Sequence, residues 1–416
     1  MSGDCSAVDV ESVSSPCVSL LIRSYIPDLL GWGRAFRRAS WLVVCECRTE
    51  GTVGWFVASI ALTSKETAIT ASRRQRPGGN GTGSREPGTG QSESGTDAAR
   101  TVADIGEFAL IARVNAGRTQ AAGVLLGPGD DAAIVAAPDG RFMVTTDMLV
   151  QDRHFRLDWS GPHDIGRKAI AQNAADVVGM GATPSAFVVS LGCPADTRVD
   201  FVSDLADGMW AEIERSGGSI AGGDMVRSPL LVISVTAFGD PRGRSPILRS
   251  TARPGDVVAV AGRLGWSAAG LAVLSSGADP TRFADVVAAH RVPRPPYQAV
   301  LDLPTDAPIT ALTDVSDGLL ADLGHIAESS GVAIDLDSAT LRDPVLDPVA
   351  TALDADPLDW ILAGGEDHAF AATFTDTVDI PAGWVVIGRV VSGAGVTVDG
   401  ASRSGPSGWE SFASGG

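Results

Sequence analysis

Two adjacent acids, Asp130 and Asp131, follow a glycine-rich turn and lead directly into an apolar run in the stretch GPGDDAAIV (residues 127–135). Another acid, Asp147, ends the apolar run MVTTD shortly afterwards. Like charges at the mouth of a buried strand cost free energy unless a positive group offsets them. The pattern therefore predicts that a cation binds at this end of the strands.

Further acids occur at the boundaries of predicted elements, in most cases beside glycine or another small residue. They are Asp176, Asp224, Asp314, Asp317, Glu366 and Asp367. Small neighbours let a ligand approach the backbone, and clustered carboxylates suit hard cations such as Mg²⁺. Asp176 is the sharpest case, because the surrounding segment NAADVVGMGA is apolar and an unpaired carboxylate there is costly. Asn173 lies on the same helical face and is expected to share its role.

Each motif also has a simpler structural explanation. GDD, TTD and GGD occur commonly as turns, and SDG before an apolar segment is a helix N-cap if Asp317 or Ser316 caps the helix. Taken together, however, these acids would repel one another unless cations were recruited. Several Mg²⁺ ions favour phosphoryl transfer, although the sequence contains no Gly-Lys pair, no P-loop and no kinase HRD or DFG motif.

The elements that must position these acids follow from apolar periodicity after Ala103. DIGEFALIARV predicts a short helix, AAIVAA and FMVTT predict strands around the turn Pro138–Gly140, and Asp164 is the expected N-cap of the helix IGRKAIAQNAADVVGMGA. TALTDVSDGLLADLGHIAESSG is predicted as a loop entering a helix. Alternating strands and helices continue to the end, so we expect an α/β protein with mixed sheets and two domains, residues 101–245 and 246–416.

Residues 1–100 have a different character. They show no sustained apolar period, and residues 73–97 are rich in Gly, Ser and Pro, as flexible linkers are. We interpret residues 1–100 as a dispensable extension, disordered or an artefact of an upstream start codon.

Composition limits the classes of partner. A net charge of −18 argues against nucleic acid, which requires a basic face. Cys193 is the only cysteine after residue 100, which favours a reducing cytoplasm over a disulfide-bonded exterior. No apolar run reaches the roughly 20 residues of a membrane helix, and no signal peptide precedes the body.

Eight segments in order resemble the thiamine-monophosphate kinase family over about residues 104–409. They are GEFALI, GPGDDAAIV, TTDMLVQDRHF, KAIAQNAADVVGMGATP, AGGDMVRSPLLVISVTAFG, RSTARPGD, TDVSDGLLADLGHI and AGGEDHAF. The resemblance implies a two-domain fold like that of aminoimidazole ribonucleotide synthetase and a homodimer whose N-terminal domains pair their sheets. It also implies ATP-dependent phosphorylation of thiamine monophosphate with several Mg²⁺ ions. For the mechanism we expect direct in-line transfer without a strong general base, because the attacking phosphate oxygen is already anionic at neutral pH.

The resemblance also implies roles for particular residues. Implied metal ligands are Asp131, Thr145, Thr146, Asp147, Asp176, Asp224, Asp314 and Asp317. Implied contacts of ATP are Gly223, Asp224, Arg249 and Ser316. Implied contacts of thiamine monophosphate are His154, Glu366 and Trp409, whose aromatic face suits a flat cation. His154 has a simpler alternative, in which it merely caps the end of a strand.

The sequence departs from the family pattern at His368-Ala369, where Tyr-Glu is typical, and at Met225-Val226, where Thr-Thr is common. Related enzymes of the superfamily fit less well. There is no reactive cysteine with a nearby lysine before GDD, no C-terminal cysteine and no GVGTK-type loop. Two alternatives stay open, namely a superfamily enzyme with another substrate and a non-catalytic protein that binds nucleotide and Mg²⁺.

Overall fold

The computed structural model describes residues 39–49, 52–62, 100–129, 132–376, 379–403, 405 and 407–409, and for the first two ranges only the backbone. Asp130, Asp131, the linker 73–97 and the last seven residues lie outside these ranges. The chain divides into two units after Thr89. In the first unit, strands β1 (Ala39–Thr49) and β2 (Thr52–Leu62) form an antiparallel hairpin, which the sequence pattern did not indicate.

The first α/β half of the body is built around a four-stranded sheet. Its elements are α1 (Val102–Ile105), α2 (Glu107–Asn115), β3 (Val124–Leu126), β4 (Ile134–Val135), β5 (Met143–Val150), α3 (Pro162–Val178), β6 (Thr183–Cys193), α4 (Val199–Ser216), β7 (Ile220–Arg227) and β8 (Val232–Asp240). The sheet has the order β5-β8-β6-β7, and β3 and β4 form a separate pair. Only β6 and β7 run parallel. Helix α3 packs against β5, β6 and β8, and α4 packs on α3.

The second half contains a six-stranded sheet with the order β10-β12-β9-β13-β11-β14. Its strands are β9 (Val257–Ala261), β10 (Ile309–Val315), β11 (Ala333–Leu336), β12 (Ala369–Phe374), β13 (Trp384–Val391) and β14 (Gly395–Val398). Its helices are α5 (Trp266–Ser276), α6 (Ala284–Arg291), α7 (Tyr297–Leu301), α8 (Leu319–Ser330), α9 (Asp347–Leu353) and α10 (Pro357–Ala363). The mixed α/β class is therefore confirmed.

The two halves share a hydrophobic core. Phe187 and Val178 from the first half belong to the same buried cluster as Tyr297, Phe370 and Trp384 from the second. A second cluster lies wholly within the C-terminal half. Among the described residues, no helix is both long and apolar enough to span a bilayer.

Two predictions about helices were wrong for identifiable reasons. The first predicted helix is interrupted at Gly106, which has a φ of 75°. Asp164 is not the N-cap of α3, because Gly161 takes that position and Pro162 starts the helix, where its missing N–H costs nothing. Asp164 instead lies in the first turn, where its charge favours the helix dipole.

Strands β10 and β7 were not predicted. TALTDV forms the buried strand β10 rather than a loop. AGGDMVR forms β7 even though glycine has a low strand propensity, because the strand lies unusually close to β6: a Cβ on Gly223 would fall 2.0 Å from the Val189 carbonyl oxygen. Whether such segments form strands depends on tertiary packing rather than on local propensity.

Gly208 provides a test of the close contact between α3 and α4. A Cβ at Gly208 would lie 2.0 Å from the His163 carbonyl oxygen. We expect Gly208→Ala to lower the free energy of unfolding by about 1–3 kcal/mol, since the helices must move apart. Gly324→Ala in α8 is the matched control, because no atom lies within 4 Å of its Cβ position. That variant should gain roughly 0.5–1 kcal/mol. Urea unfolding followed by circular dichroism measures both, and equal effects would contradict the packing argument.

Candidate active site

Four of the predicted acids lie together where the two halves meet. Asp147 is on β5, Asp176 on α3 and Asp314 on β10, while Asp317 follows β10 in the loop before α8. The Thr145 hydroxyl donates to Asp176 Oδ2 at 2.8 Å, and Asn173 Oδ1 accepts the Asp147 amide at 3.0 Å. These bonds attach α3 to β5, and they give Asn173 the role of orienting the strand.

Burial and mutual repulsion dominate the electrostatics of this cluster. Burial, followed by the charges of Asp314 and Asp147, raises the pKa of Asp176 to about 7. Burial also raises the pKa of Asp147 and of Asp317, and Asp314 adds to both shifts. A raised pKa means that the ionised carboxylates are unfavourable here, so a cation at this point would be bound strongly.

His368 supplies some positive charge to the cluster. Its Nδ1 lies 3.0 Å from Asp314 Oδ2, and both side chains are buried. Burial opposes the charged ring, but the hydrogen bond with Asp314 and the surrounding carboxylates raise the pKa of His368 overall. The sequence marked His368 only as a departure from the family pattern, and its pairing with Asp314 could not be seen there.

A cavity of about 550 Å³ adjoins the acids. Thr145, Asp176, Asp314 and Arg249 contribute to its polar wall, and Arg249 Nε donates to the Thr313 hydroxyl at 3.1 Å. Its volume lies within the range of small-molecule sites. Among the described residues, no three His, Cys, Asp or Glu side chains form a ready metal-binding group.

Three predicted site residues are placed apart from the cluster. Thr146 points to the opposite face of β5, as alternation requires, and its hydroxyl donates to the Val235 carbonyl at 3.0 Å. Gly223 and Asp224 are on β7, at the other edge of the sheet from β5. Three interstrand spacings make this separation about 14 Å. Asp131, the remaining predicted ligand, lies outside the described residues.

A second group of residues, beside the acids, contains the predicted substrate contacts His154 and Glu366. Lys168 Nζ lies 2.7 Å from Glu366 Oε1 and donates to the His154 carbonyl oxygen at 2.9 Å. Burial disfavours an ionised Glu366, but the charge of Lys168 outweighs this effect and lowers the pKa of Glu366. His154 Nδ1 accepts the Val150 amide at 3.0 Å, so His154 does cap the end of β5. Burial lowers the pKa of His154, which favours the neutral ring.

Sequence reasoning missed Lys168. The available signal was its rarity, since Lys65 and Lys168 are the only lysines of the chain, and its position in an apolar helix. Its ion pair spans the two halves, so no local pattern could reveal the partner.

The loop before α8 connects the two groups. The Ser316 carbonyl accepts the Glu366 amide at 2.7 Å, and the Asp317 carbonyl accepts the Trp409 amide at 2.9 Å. The alternative that Ser316 or Asp317 caps α8 is wrong. Asp322 instead accepts the amides of Asp317 and Gly318, each at 3.1 Å.

Trp409 and Asp367 complete the surroundings. The guanidinium carbon of Arg153 lies 4.8 Å from the centre of the Trp409 ring, a cation–π contact within the chain itself. Asp367 is not a member of the acid cluster: its carboxylate accepts the amides of Gly265 and Ser267, at the start of α5.

Both halves match the AIR synthase related proteins. The model of the N-terminal domain matches residues 129–240, and the model of the C-terminal domain matches residues 253–400. Thiamine-monophosphate kinase from Mycobacterium tuberculosis is 56% identical over 317 residues, which cover 75% of this chain and 93% of that protein. The chain thus belongs to the thiamine-monophosphate kinase family.

Solved structures agree with this placement. Thiamine-monophosphate kinase from Stenotrophomonas maltophilia K279a matches with a TM-score of 0.61 at 32% identity, covering 71% of this chain and 95% of that chain. AaThiL complexed with AMPPCP and TMP matches with a TM-score of 0.61 at 31% identity, covering 74% of this chain and 97% of that chain.

Replacing Asp176 tests the repulsion in the cluster. Because its pKa is raised in the folded protein, the folded state binds this proton more tightly than the unfolded chain does, and stability falls as pH rises from about 4 to about 7. In metal-free buffer at pH 8, Asp176→Asn should therefore raise Tm by a few degrees. The gain should shrink towards pH 4. Calorimetry across this range measures it, and a Tm that falls equally at every pH would contradict the account.

Proposed function

We propose that this chain transfers the γ-phosphoryl group of ATP to thiamine monophosphate and so forms thiamine diphosphate. The observation that carries the proposal is the convergence of Asp147, Asp176 and Asp314 beside a cavity of about 550 Å³. Membership of the thiamine-monophosphate kinase family supports the reaction, and the complex of a structural relative with AMPPCP and TMP supports both substrates.

The donor set fits Mg²⁺. Carboxylate and hydroxyl oxygens are hard ligands, and the raised pKa values of Asp147, Asp176 and Asp317 reflect charges that a divalent cation would stabilise. With Thr145 and Asp314 they would hold several ions, and we propose Asp131 as a further ligand. Thr146 and Asp224 lie apart from this cluster. When bound, such ions offset the charge of the phosphate oxygens and orient them.

The remaining residues divide between the two substrates. Arg249 lines the cavity beside the acids and is suited to the polyphosphate of ATP. Ser316 is a further proposed contact of ATP, whereas Gly223 lies apart from this cavity, on β7. The proposed contacts of thiamine monophosphate are Glu366 and His154, which meet at Lys168, and Trp409, whose amide donates to the Asp317 carbonyl. An ionised Glu366 suits a cationic or amino-bearing ring, and the Trp409 face suits the thiazolium.

The chain's role in the reaction is then positioning and charge control. An anionic oxygen of the thiamine monophosphate phosphate attacks the γ-phosphorus of ATP, the bond from that phosphorus to the β,γ-bridging oxygen breaks, and ADP departs with the electron pair. The nucleophile is already ionised at neutral pH, so no residue need act as a general base.

We further propose a homodimer. The face of the first sheet that is not covered by α3 exposes apolar side chains, among them Met148 on β5 and Val226 on β7. If β5 of one protomer met β7 of the other, the sheets of the two protomers would pair edge to edge. We also propose that the protein is cytoplasmic, because residues 101–416 contain a single cysteine. The net charge of −18 argues against nucleic acid as a partner, and we propose no membrane partner.

Turnover by the full chain tests the reaction. With ATP and Mg²⁺, ADP should form only when thiamine monophosphate is added. ADP formation that requires another phosphorylated acceptor would support a different substrate in the superfamily. Nucleotide binding without any turnover would support a non-catalytic protein.

Asp147→Asn should reduce kcat at least about 100-fold, because one preorganised anionic ligand of the charge-stabilising site is lost. Raising the Mg²⁺ concentration should restore part of this activity. The matched control is Asp302→Asn, at an exposed acid outside both groups. Near-normal turnover of Asp147→Asn at limiting Mg²⁺ would remove Asp147 from the site.

Met148→Glu tests the dimer. A charge on the apolar sheet face should shift the protein towards monomer in light scattering and lower its activity in parallel. Val385→Glu on β13 is the matched control, because Val385 is similarly exposed, at 57% against 52% for Met148. A dimer that persists in Met148→Glu would place the interface elsewhere.

A further inference from the structure

Lys168 is a buried cation in the middle of α3, with only 3% of its side chain exposed. Burying an ammonium group costs free energy unless it is paired and hydrogen-bonded, and an apolar side chain of similar size is often more stabilising at such a position. Lys168 meets this cost with two acceptors, Glu366 Oε1 at 2.7 Å and the His154 carbonyl oxygen at 2.9 Å. These acceptors come from different halves of the protein.

Lys168 constrains Glu366 more than an ordinary surface ion pair would. Glu366 has a φ of 65°, a strained conformation for a residue other than glycine, and its amide donates to the Ser316 carbonyl at 2.7 Å. With Oε1 held by Lys168, Oε2 lies 3.6 Å from His290 Nδ1. Burial, followed by the charge of Lys168, lowers the pKa of His290 to about 4, so His290 does not compete as a cation.

Lys168 also orders the segment that carries His154. Its ammonium group can only donate hydrogen bonds, and by donating to the His154 carbonyl oxygen it fixes the direction of that carbonyl. The ring of His154 is held separately, because its Nδ1 accepts a hydrogen bond from the Val150 amide. In the neutral ring the proton then resides on Nε2, which becomes a donor. Lys168 thus positions both the Glu366 carboxylate, which is a hydrogen-bond acceptor, and the backbone of His154, whose ring is a donor.

We propose that Lys168 is the positioning residue of the acceptor-substrate subsite: it holds Glu366 and His154 in the one arrangement that binds thiamine monophosphate. The inference rests on the proposed function. Lys168 contacts the two residues assigned to the acceptor and does not line the cavity assigned to ATP. Its loss should therefore affect one substrate and spare the other.

The test uses Lys168→Met, which keeps the length of the side chain and removes its charge, in the full-length protein. Titration calorimetry measures binding of thiamine monophosphate and, separately, of a non-hydrolysable ATP analogue with Mg²⁺. We expect the Kd for thiamine monophosphate to rise about 10- to 100-fold, which corresponds to roughly 1.4–2.8 kcal/mol. The Kd for the analogue should change less than twofold. Steady-state kinetics should show the same selective rise in KM.

A double-mutant cycle separates positioning from simple stabilisation. If Lys168 acts through Glu366, then Lys168→Met combined with Glu366→Gln should weaken thiamine monophosphate binding no more than the stronger single change. Lys168→Arg keeps the charge and should recover part of the affinity, and it carries the test if Lys168→Met does not fold. Arg167→Met is the matched control, because Arg167 is the adjacent residue on α3 and pairs with Glu212 at 2.8 Å. It should lower Tm without changing the affinity for thiamine monophosphate.

The outcomes are distinguishable. If the wild-type chain binds thiamine monophosphate and Lys168→Met binds it equally well, this inference is overturned while the proposed function stands. Equal losses for thiamine monophosphate and the nucleotide analogue, or strictly additive effects in the cycle, would overturn it in favour of a structural role. A wild-type chain that neither binds nor phosphorylates thiamine monophosphate would overturn the proposed function and this inference with it.

Discussion

The free-energy cost of gathering ionised carboxylates in a partly buried space is the constraint on which the rest of the structure depends. Asp147, Asp176 and Asp314 come from three different elements, and their mutual repulsion adds to the cost of burial. His368 offsets part of that charge through Asp314. An arrangement of this kind lowers the stability of the metal-free protein, so its value must lie in what it binds. Phosphoryl transfer uses such a site well, because the carboxylates hold cations that in turn offset the charge of the phosphate oxygens.

Helix α3 is the element that makes the arrangement possible. At Gly166 its backbone approaches α4 so closely that a Cβ would fall 2.0 Å from the Leu205 carbonyl oxygen. Elsewhere it presents Asn173 and Asp176 to β5, and Lys168 to the residues assigned to the acceptor. A packed helix holds side chains more accurately than a loop does. The same rigid body can therefore set the metal site and the acceptor site relative to each other.

The loop after α10 shows how three consecutive side chains can serve three purposes. Glu366 pairs with Lys168, Asp367 accepts amides at the start of α5, and His368 bonds to Asp314. Glu366 and His368 both have positive φ, at 65° and 51°. Backbone strain of this kind persists where the surroundings over-determine it. Here the hydrogen bonds of Asp367 anchor the loop between its two strained residues.

The sequence by itself was sufficient for the α/β class, for elements such as β5, α3 and α8, and for the four acids that converge. Local periodicity and the chemistry of short motifs carry that information. It was not sufficient for the N-cap of α3, for strand β7 or for the cap of α8. Those depended on Pro162, on the close approach of Gly223 to β6, and on Asp322 reaching back to two amides.

Only the tertiary structure decided which polar groups meet. Thr145 bonds Asp176 from 31 residues away, and His368 bonds Asp314 from 54 residues away. Alternation along β5 separates Thr145 from Thr146, although the two are adjacent in the motif. Lys168 finds its partner in the other half of the protein. The residue type determines which kinds of group a side chain can bind. Which group it does bind depends on the distant segments that the shared core brings within a few ångströms.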